Sequence, residues 1–337
     1  MARAGGWRRL GSRGRFRYLD RQGNRIDDPA ALARIDALRI PPAWRDVWIS
    51  PRPGAKLQAT GYDAAGRRQY LYHPAFRAAQ EQAKFGRLVL FGERLPALRG
   101  AVAEHLELDP LERERVCAIA VRLVNLGWFR VGSDRYARSS RTYGITTVRK
   151  GHVRVERRRI VFRFPGKGHS LVHAAVADSE LRSAVRDLLS LPGPRLFRYA
   201  VEGELRNLTS HVLNGYVKAH LGDEFSAKDF RTWGGTLTAA VAFAERGPAQ
   251  SAAEAKRVVA AVMRTVGATL GNTAAVARAS YVSPAVVEQY LQGVTLEDFQ
   301  PRHLRVLRAR VIELEPEERA LLSLLRSWRI KQALQVA

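Results

Sequence analysis

The stretch Lys56-Leu57-Gln58-Ala59-Thr60-Gly61-Tyr62-Asp63-Ala64-Ala65-Gly66-Arg67-Arg68-Gln69-Tyr70-Leu71-Tyr72-His73-Pro74 decides the fold class, because the texture of the chain changes across it. Lys56 to Tyr62 and Arg67 to Tyr72 read as two strands around the turn Ala64-Ala65-Gly66, and beyond Pro74 the pattern becomes helical. Toward the N-terminus, Val47-Trp48-Ile49 reads as a further strand and Gly23-Asn24 as a turn. Asp28-Pro29 fits an N-cap followed by proline at the first helical position, so one helix interrupts the strands. A flexible stretch near Gly86 and Gly92 marks the boundary. The expectation is an α+β protein: a small, mostly β domain over residues 1–90, and a larger, mainly α-helical domain over 91–337 that contains a β-hairpin region.

In the helical part, Asp109-Pro110 opens a helix whose Val116, Ile119, Ala120, Leu123 and Leu126 recur at one-face spacing. It ends near Gly127 and delivers Arg130. Two strand pairs are expected next: Ile145 to Val148 with Val153 to Glu156 around Lys150-Gly151, then Ile160 to Phe164 with Ser170 to His173 around Pro165-Gly166-Lys167-Gly168. Lys167 therefore stands at a hairpin tip. The remainder reads as helices starting at Ser226, with Asp229 three residues on as in a capping box, at Ser251 and at Pro284, with stops at Gly271 and Gly293.

Charge narrows the function. The 337 residues hold 56 Lys plus Arg against 32 Asp plus Glu, a formal charge of +24. Such an excess repels itself in the folded state and is kept where a polyanion neutralises it, so nucleic acid is the leading partner. No apolar run approaches the ~20 residues that span a bilayer, so no membrane partner is expected. Met1 to Tyr18 holds no acidic residue but carries Arg3, Arg8, Arg9, Arg13, Arg15 and Arg17, which reads as a basic arm on DNA rather than a transit peptide. Cys117, the one cysteine, lies in the apolar run Val116 to Ile119 and reads as core packing in a reducing compartment.

Several chemistries can be set aside. Around Gly166-Lys167-Gly168, Lys167 is followed by glycine rather than Ser or Thr and Val161 stands where a phosphate-binding loop has its first glycine, so no nucleotide is expected. His169 and His173 lack a nearby third ligand for zinc. Glu313, Glu315, Glu317 and Glu318 beside Pro316 fit a helix N-terminus better than a magnesium site.

What remains is a set of cations with one reactive phenol. Phe129-Arg130-Val131-Gly132, Phe164-Pro165-Gly166-Lys167, Lys228-Asp229-Phe230-Arg231-Thr232-Trp233, and Leu270-Gly271-Asn272-Thr273 followed by Arg278-Ala279-Ser280-Tyr281 resemble, in order and spacing, the type IB DNA topoisomerases. The likeness is greatest to the compact bacterial and poxvirus-type members and covers nearly the whole chain. Taken singly each residue is ordinary: Tyr281 a packing residue, Lys167 an exposed turn lysine, either arginine a solvated one. Four motifs in register are not.

The resemblance implies that Tyr281 is the nucleophile, with Arg130, Lys167 and Arg231 in the family's catalytic positions. Asn272 stands nine residues before the tyrosine where many members carry His; it can donate a neutral hydrogen bond to a phosphate oxygen but cannot shuttle a proton. Tyr136, Tyr72 and Arg278 are candidate DNA contacts, and the N-terminal β domain resembles the family's DNA clamp. The implied reaction relaxes supercoiled duplex DNA through a 3′-phosphotyrosine, with no metal, nucleotide or cofactor, in a monomer at the cytoplasmic nucleoid. Two other readings stand beside it. A tyrosine recombinase uses a related constellation but shows His three residues before its second arginine, where this chain has Lys228; a non-enzymatic DNA-packaging protein would need only the charge.

Overall fold

The computed structural model describes residues 5–12, 14–299 and 312–336. The chain divides into two compact units, Met1–Lys84 and Phe85–Ala337.

In the first, strands β1 (Trp7–Leu10), β2 (Arg17–Leu19), β3 (Arg45–Ile49), β4 (Leu57–Tyr62) and β5 (Arg68–Tyr72) form an antiparallel sheet in the order β2-β1-β3-β4-β5. Helix α1 (Pro29–Ala37) begins as its sequence dictates: Pro29 fills the first position, and the Asp28 carboxylate accepts the Ala31 N–H at 2.9 Å. The apolar core is small, with Ile35, Val47, Ile49 and Ala59 buried under Trp7, Trp44 and Leu71. Arginines supplement it. Arg34 donates to the Ser50 carbonyl at 2.7 Å and to Gln58 Oε1 at 2.8 Å.

Arg9 corrects the reading of the N-terminus as an arm. Arg3 and Arg13 lie outside the described residues, but Arg8 and Arg9 belong to β1 and Arg17 to β2. Arg9 is buried; its guanidinium stacks on Phe16, 4.1 Å from the ring centre, and donates to the carbonyls of Pro41 at 3.2 Å and Trp44 at 2.7 Å. Strand pairing and those carbonyls outcompete solvation of the basic segment.

Helix α2 (Pro74–Gly86) crosses the division, and α3 (Leu88–Leu106) follows. Residue 90, the expected boundary, lies within α3, and so does Gly92, which is no flexible point: a Cβ there would stand 2.6 Å from the Trp233 ring. The glycine admits an indole. Next come α4 (Arg113–Gly127), α5 (Asp134–Ser139), β6 (Val153–Val155), β7 (Ile160–Pro165), β8 (Leu171–Val176), α6 (Ser179–Ser190), β9 (Arg198–Val201), β10 (Glu204–Asn207) and α7 (Ser210–Leu221). The chain continues through α8 (Asp229–Ala244), α9 (Ala252–Leu270), α10 (Ala274–Ser280), α11 (Pro284–Leu291) and α12 (Pro316–Val336).

Helix α4 is the centre of this unit, and its burial is not confined to one face: Val116 through Val121, Leu123 and Val124 are all buried, whereas Leu126, expected on the apolar face, is 44% exposed. Cys117 lies in that core, where burial pushes its thiol up to about 12. Arg115 and Arg122 on the same helix are paired with Asp187 at 2.8 Å and Asp178 at 2.7 Å, which ties α4 to α6 and its N-cap. The helix starts at Arg113 rather than at Asp109-Pro110, since the Leu111 carbonyl is turned to the Ala200 N–H of β9 at 2.9 Å.

Three further expectations shift. Ile145 to Val148 is not a strand: Ile145–Thr147 is a buried 3-10 turn, and the Ile145 and Thr146 N–H groups bond the segment after α4 instead of β6. β6 pairs with β7, so β6, β7 and β8 make one three-stranded antiparallel sheet. α8 starts at Asp229, whose carboxylate reaches back to the Ser226 N–H at 2.8 Å. The α9 start at Ser251, the αL stop at Gly271 and the α11 start at Pro284 are as read from the sequence. Glu318, in the first turn of α12, is buried and bonds Arg99 twice, at 2.8 and 2.9 Å, and the Trp233 indole N–H at 3.1 Å.

Candidate active site

α4 ends in a left-handed Trp128 (φ 48°), which turns the chain so that Arg130 leaves the helix axis. The Arg130 segment is then clamped. The Ile145 N–H donates to the Arg130 carbonyl and the Thr146 N–H to that of Val131, each at 2.8 Å. The approach requires glycine: a Cβ on Gly144 would stand 2.4 Å from Gly132 N. This clamp is what the supposed strand at Ile145 builds.

Arg231 lies in the first turn of α8, 6% exposed. Its guanidinium donates to the Trp128 carbonyl at 2.5 Å and the Leu270 carbonyl at 2.8 Å. Arg130 donates to the Gly271 carbonyl at 3.1 Å and to Asn272 Oδ1 at 2.7 Å. Among the described residues these partners are carbonyl and amide oxygens, with no carboxylate among them. Both guanidiniums are thus aimed without being neutralised. Burial and then the like charge of Arg130 lower the pKa of Arg231, the electrostatic mark of a site short of an anion.

Tyr281 caps the C-terminus of α10 and is half-buried, with the Arg231 guanidinium carbon 5.0 Å from its ring centre. Burial pushes its phenol up, but Arg231, and after it Arg130 and Lys167, pull it below the ordinary tyrosine value. Lys167 is exposed at the β7–β8 turn, which closes through the Gly166 N–H to the Ser170 carbonyl at 2.7 Å and uses Gly168 at φ 71°. A cavity of about 130 Å³ opens beside the arginines, walled by Trp128, Tyr143, Phe164, Leu171 and Leu270.

The structure therefore brings Arg130, Lys167, Arg231, Asn272 and Tyr281 into one electrostatic neighbourhood. Asn272 accepts from Arg130 through its oxygen and donates from Nδ2 to the Leu270 carbonyl at 3.3 Å, while Thr273 caps α10. Tyr136 on α5 and Arg278 on α10 are exposed. Tyr72 belongs to the first unit, where it is 43% exposed and lies 6.2 Å from Tyr70 in a stacked pair and 5.5 Å from Phe76, ring centre to ring centre. Trp128 was missed, because an orienting carbonyl leaves no mark on side-chain spacing. Among the described residues no group of three His, Cys, Asp or Glu could hold a metal ion, and no helix is long and apolar enough to cross a membrane.

A phenol among cations that have no carboxylate partner among the described residues suits chemistry on a phosphodiester, and comparison gives the chain its class. Residues 73–300 match the family model for the catalytic core of eukaryotic DNA topoisomerase I, and residues 15–63 match that for the N-terminal domain of bacterial DNA topoisomerase IB. The chain belongs to the type IB DNA topoisomerases, isomerases that bind DNA and change its topology. It is 31% identical over 267 residues to DNA topoisomerase 1B of Acanthamoeba polyphaga mimivirus, a match covering 77% of this chain and 80% of that one. To DNA topoisomerase 1B of Vaccinia virus (strain Copenhagen) it is 22% identical over 273 residues, covering 78% and 82%.

Proposed function

We propose that the protein relaxes supercoiled duplex DNA without ATP or metal, by transient cleavage of one strand through a 3′-phosphotyrosine on Tyr281. The observation that carries this reading is the convergence of Arg231, Arg130 and Lys167 on one phenol whose acidity they raise. The Tyr281 oxygen attacks phosphorus as its proton is lost to solvent, and the bond to the 5′ oxygen breaks. Lys167 protonates that oxygen. Arg130 and Arg231 hold the non-bridging oxygens, where charge grows in the transition state, so they stabilise it more than the ground state. Permanently charged, planar guanidiniums suit that role, and they supply the charge that metal ions supply elsewhere.

Asn272 acts chiefly by fixing Arg130, and its amide nitrogen is the group left for a phosphate oxygen. The phosphotyrosine is close in energy to the phosphodiester it replaces, so the freed 5′-hydroxyl reseals the strand after rotation with no external energy. Tyr136 and Arg278 contact the duplex around the break, and the first unit serves as a DNA clamp through Tyr72 and its stacked neighbour Tyr70. One complete set of groups per chain suits a monomer working at the nucleoid.

The test is incubation with supercoiled plasmid in EDTA without nucleotide. Full relaxation is expected. An absolute need for magnesium or ATP contradicts the mechanism.

A further inference from the structure

Thr236 lies on α8 five residues after Arg231, outside every motif that the sequence singles out, and is fully buried. A threonine inside a helix ordinarily turns its hydroxyl onto the carbonyl four residues back. Thr238 does so, donating to the Gly234 carbonyl at 2.7 Å. Thr236 turns away from its own helix: its hydroxyl donates to the Tyr281 carbonyl at 3.1 Å and accepts the Ser283 N–H at 3.1 Å. Its donor and one acceptor site are thereby taken up by the corner that joins α10 to α11.

The neighbouring glycine makes the approach possible. A Cβ on Gly235 would stand 2.9 Å from the Tyr281 carbonyl oxygen and 3.0 Å from the Tyr281 Cβ. Gly235 follows Arg231 by four residues, so it faces the same way from α8. One rigid helix thus sets the Arg231 guanidinium with its first turn and the Tyr281 backbone with its second.

We propose that Thr236 is a positioning residue for the nucleophile: its hydroxyl locks the Tyr281 backbone to α8, so that the phenol meets the phosphorus in register with the oxygens held by Arg231. The proposal rests on the reading of Tyr281 as nucleophile. Thr236 itself touches neither DNA nor the phenol oxygen. Its effect is geometric, and a misplacement of about 1 Å at a reacting centre costs on the order of 10²-fold in rate.

The test is single-turnover cleavage of a duplex oligonucleotide by the full chain carrying Thr236→Val, which keeps the shape and removes the hydroxyl, or Thr236→Ser, which restores it. The expected result is a rate constant lowered about 10- to 100-fold by Thr236→Val and restored to within about threefold by Thr236→Ser, with duplex affinity unchanged. A purely structural role reads differently, since loss of folded protein lowers the amplitude of the adduct and leaves its rate constant alone. The Thr236→Val defect also persists when sulfur replaces the 5′ bridging oxygen, because the leaving group is not what has changed. If Thr236→Val does not fold, Thr236→Ala carries the same expectation.

A Thr236→Val rate constant within about twofold of the parent, or Thr236→Ser as slow as Thr236→Val, overturns the proposal. If the parent chain forms no adduct on Tyr281, the catalytic reading fails instead. Positioning is then decided by 13C NMR titration of the Tyr281 phenol, held low beside Arg231 in the parent and Thr236→Ser. An unchanged titration in Thr236→Val refutes it.

Discussion

The two units anchor arginines in the same way and leave them in different states. In the first, Arg9 and Arg34 bond backbone carbonyls and are closed over, Arg9 by Phe16 and Arg34 by Trp7, so that they join parts of a sheet whose apolar core is small. In the second, Arg130 and Arg231 also bond carbonyls, but beside a phenol and a cavity. Arg99, Arg115 and Arg122 show the third possibility, neutralisation by Glu318, Asp187 and Asp178. A carbonyl fixes the direction of a guanidinium without cancelling its net charge, whereas a carboxylate does both. What separates a structural arginine from one ready for phosphate is therefore what lies on its open side.

That contrast can be broken, and the largest effect should come from Tyr281→Phe. The phenylalanine keeps the ring against Arg231 and removes the hydroxyl. DNA binding survives while the adduct disappears, and a denaturant-stable complex formed by the mutant would move the nucleophile to another tyrosine. Next is Lys167→Ala, expected to slow cleavage on the order of 10²- to 10⁴-fold, the range of general acid catalysis. With sulfur at the 5′ bridging position, a far better leaving group, most of that defect vanishes; persistence would make Lys167 a positioning cation.

Arg130→Ala and Arg231→Ala should each cost about 10²- to 10³-fold, as loss of a transition-state donor does, on oxygen and sulfur alike. The pH profile sharpens this. Because the cations lower the phenol's pKa, cleavage rises with pH and levels off below the ordinary tyrosine value near 10. Arg130→Gln removes one lowering charge and should move that midpoint upward; a midpoint that falls or stays would show that Arg130 does not act on the phenol. The smallest catalytic effect belongs to Arg9→Met. It should cost about 1 to 3 kcal/mol in unfolding of the first unit, as loss of charged hydrogen bonds does, and leave the cleavage rate constant at saturating protein unchanged.

Legibility followed the range of the forces involved. Local signals were readable: Asp28-Pro29, Ser251 and Pro284 mark helix starts through capping chemistry a few residues long, and the strands around Gly66 and Gly168 follow from turn residues. Partner choice was not. Ile145 to Val148 has strand composition, yet the Ile145 and Thr146 N–H groups bond the Arg130 segment, and the choice between that segment and β6 lies in tertiary packing. Gly92 reads as a break until an indole from α8 is seen against it, and Arg9 as an arm until it is found under Phe16. Among candidate site residues, the family resemblance carried by four motifs in register named the cations around Tyr281, whereas Trp128 and Thr236 act through backbone atoms and leave no pattern to read.

The central claim is that these cations activate Tyr281, and the most direct measurement traps the covalent complex in EDTA on a duplex whose short 3′ fragment escapes after cleavage, then maps the modified peptide by mass spectrometry. The account predicts a single phosphodiester adduct on Tyr281, joined to the 3′ end of the DNA and lost in Tyr281→Phe. An adduct on any other residue, attachment to the 5′ end, or no adduct without added metal would contradict it.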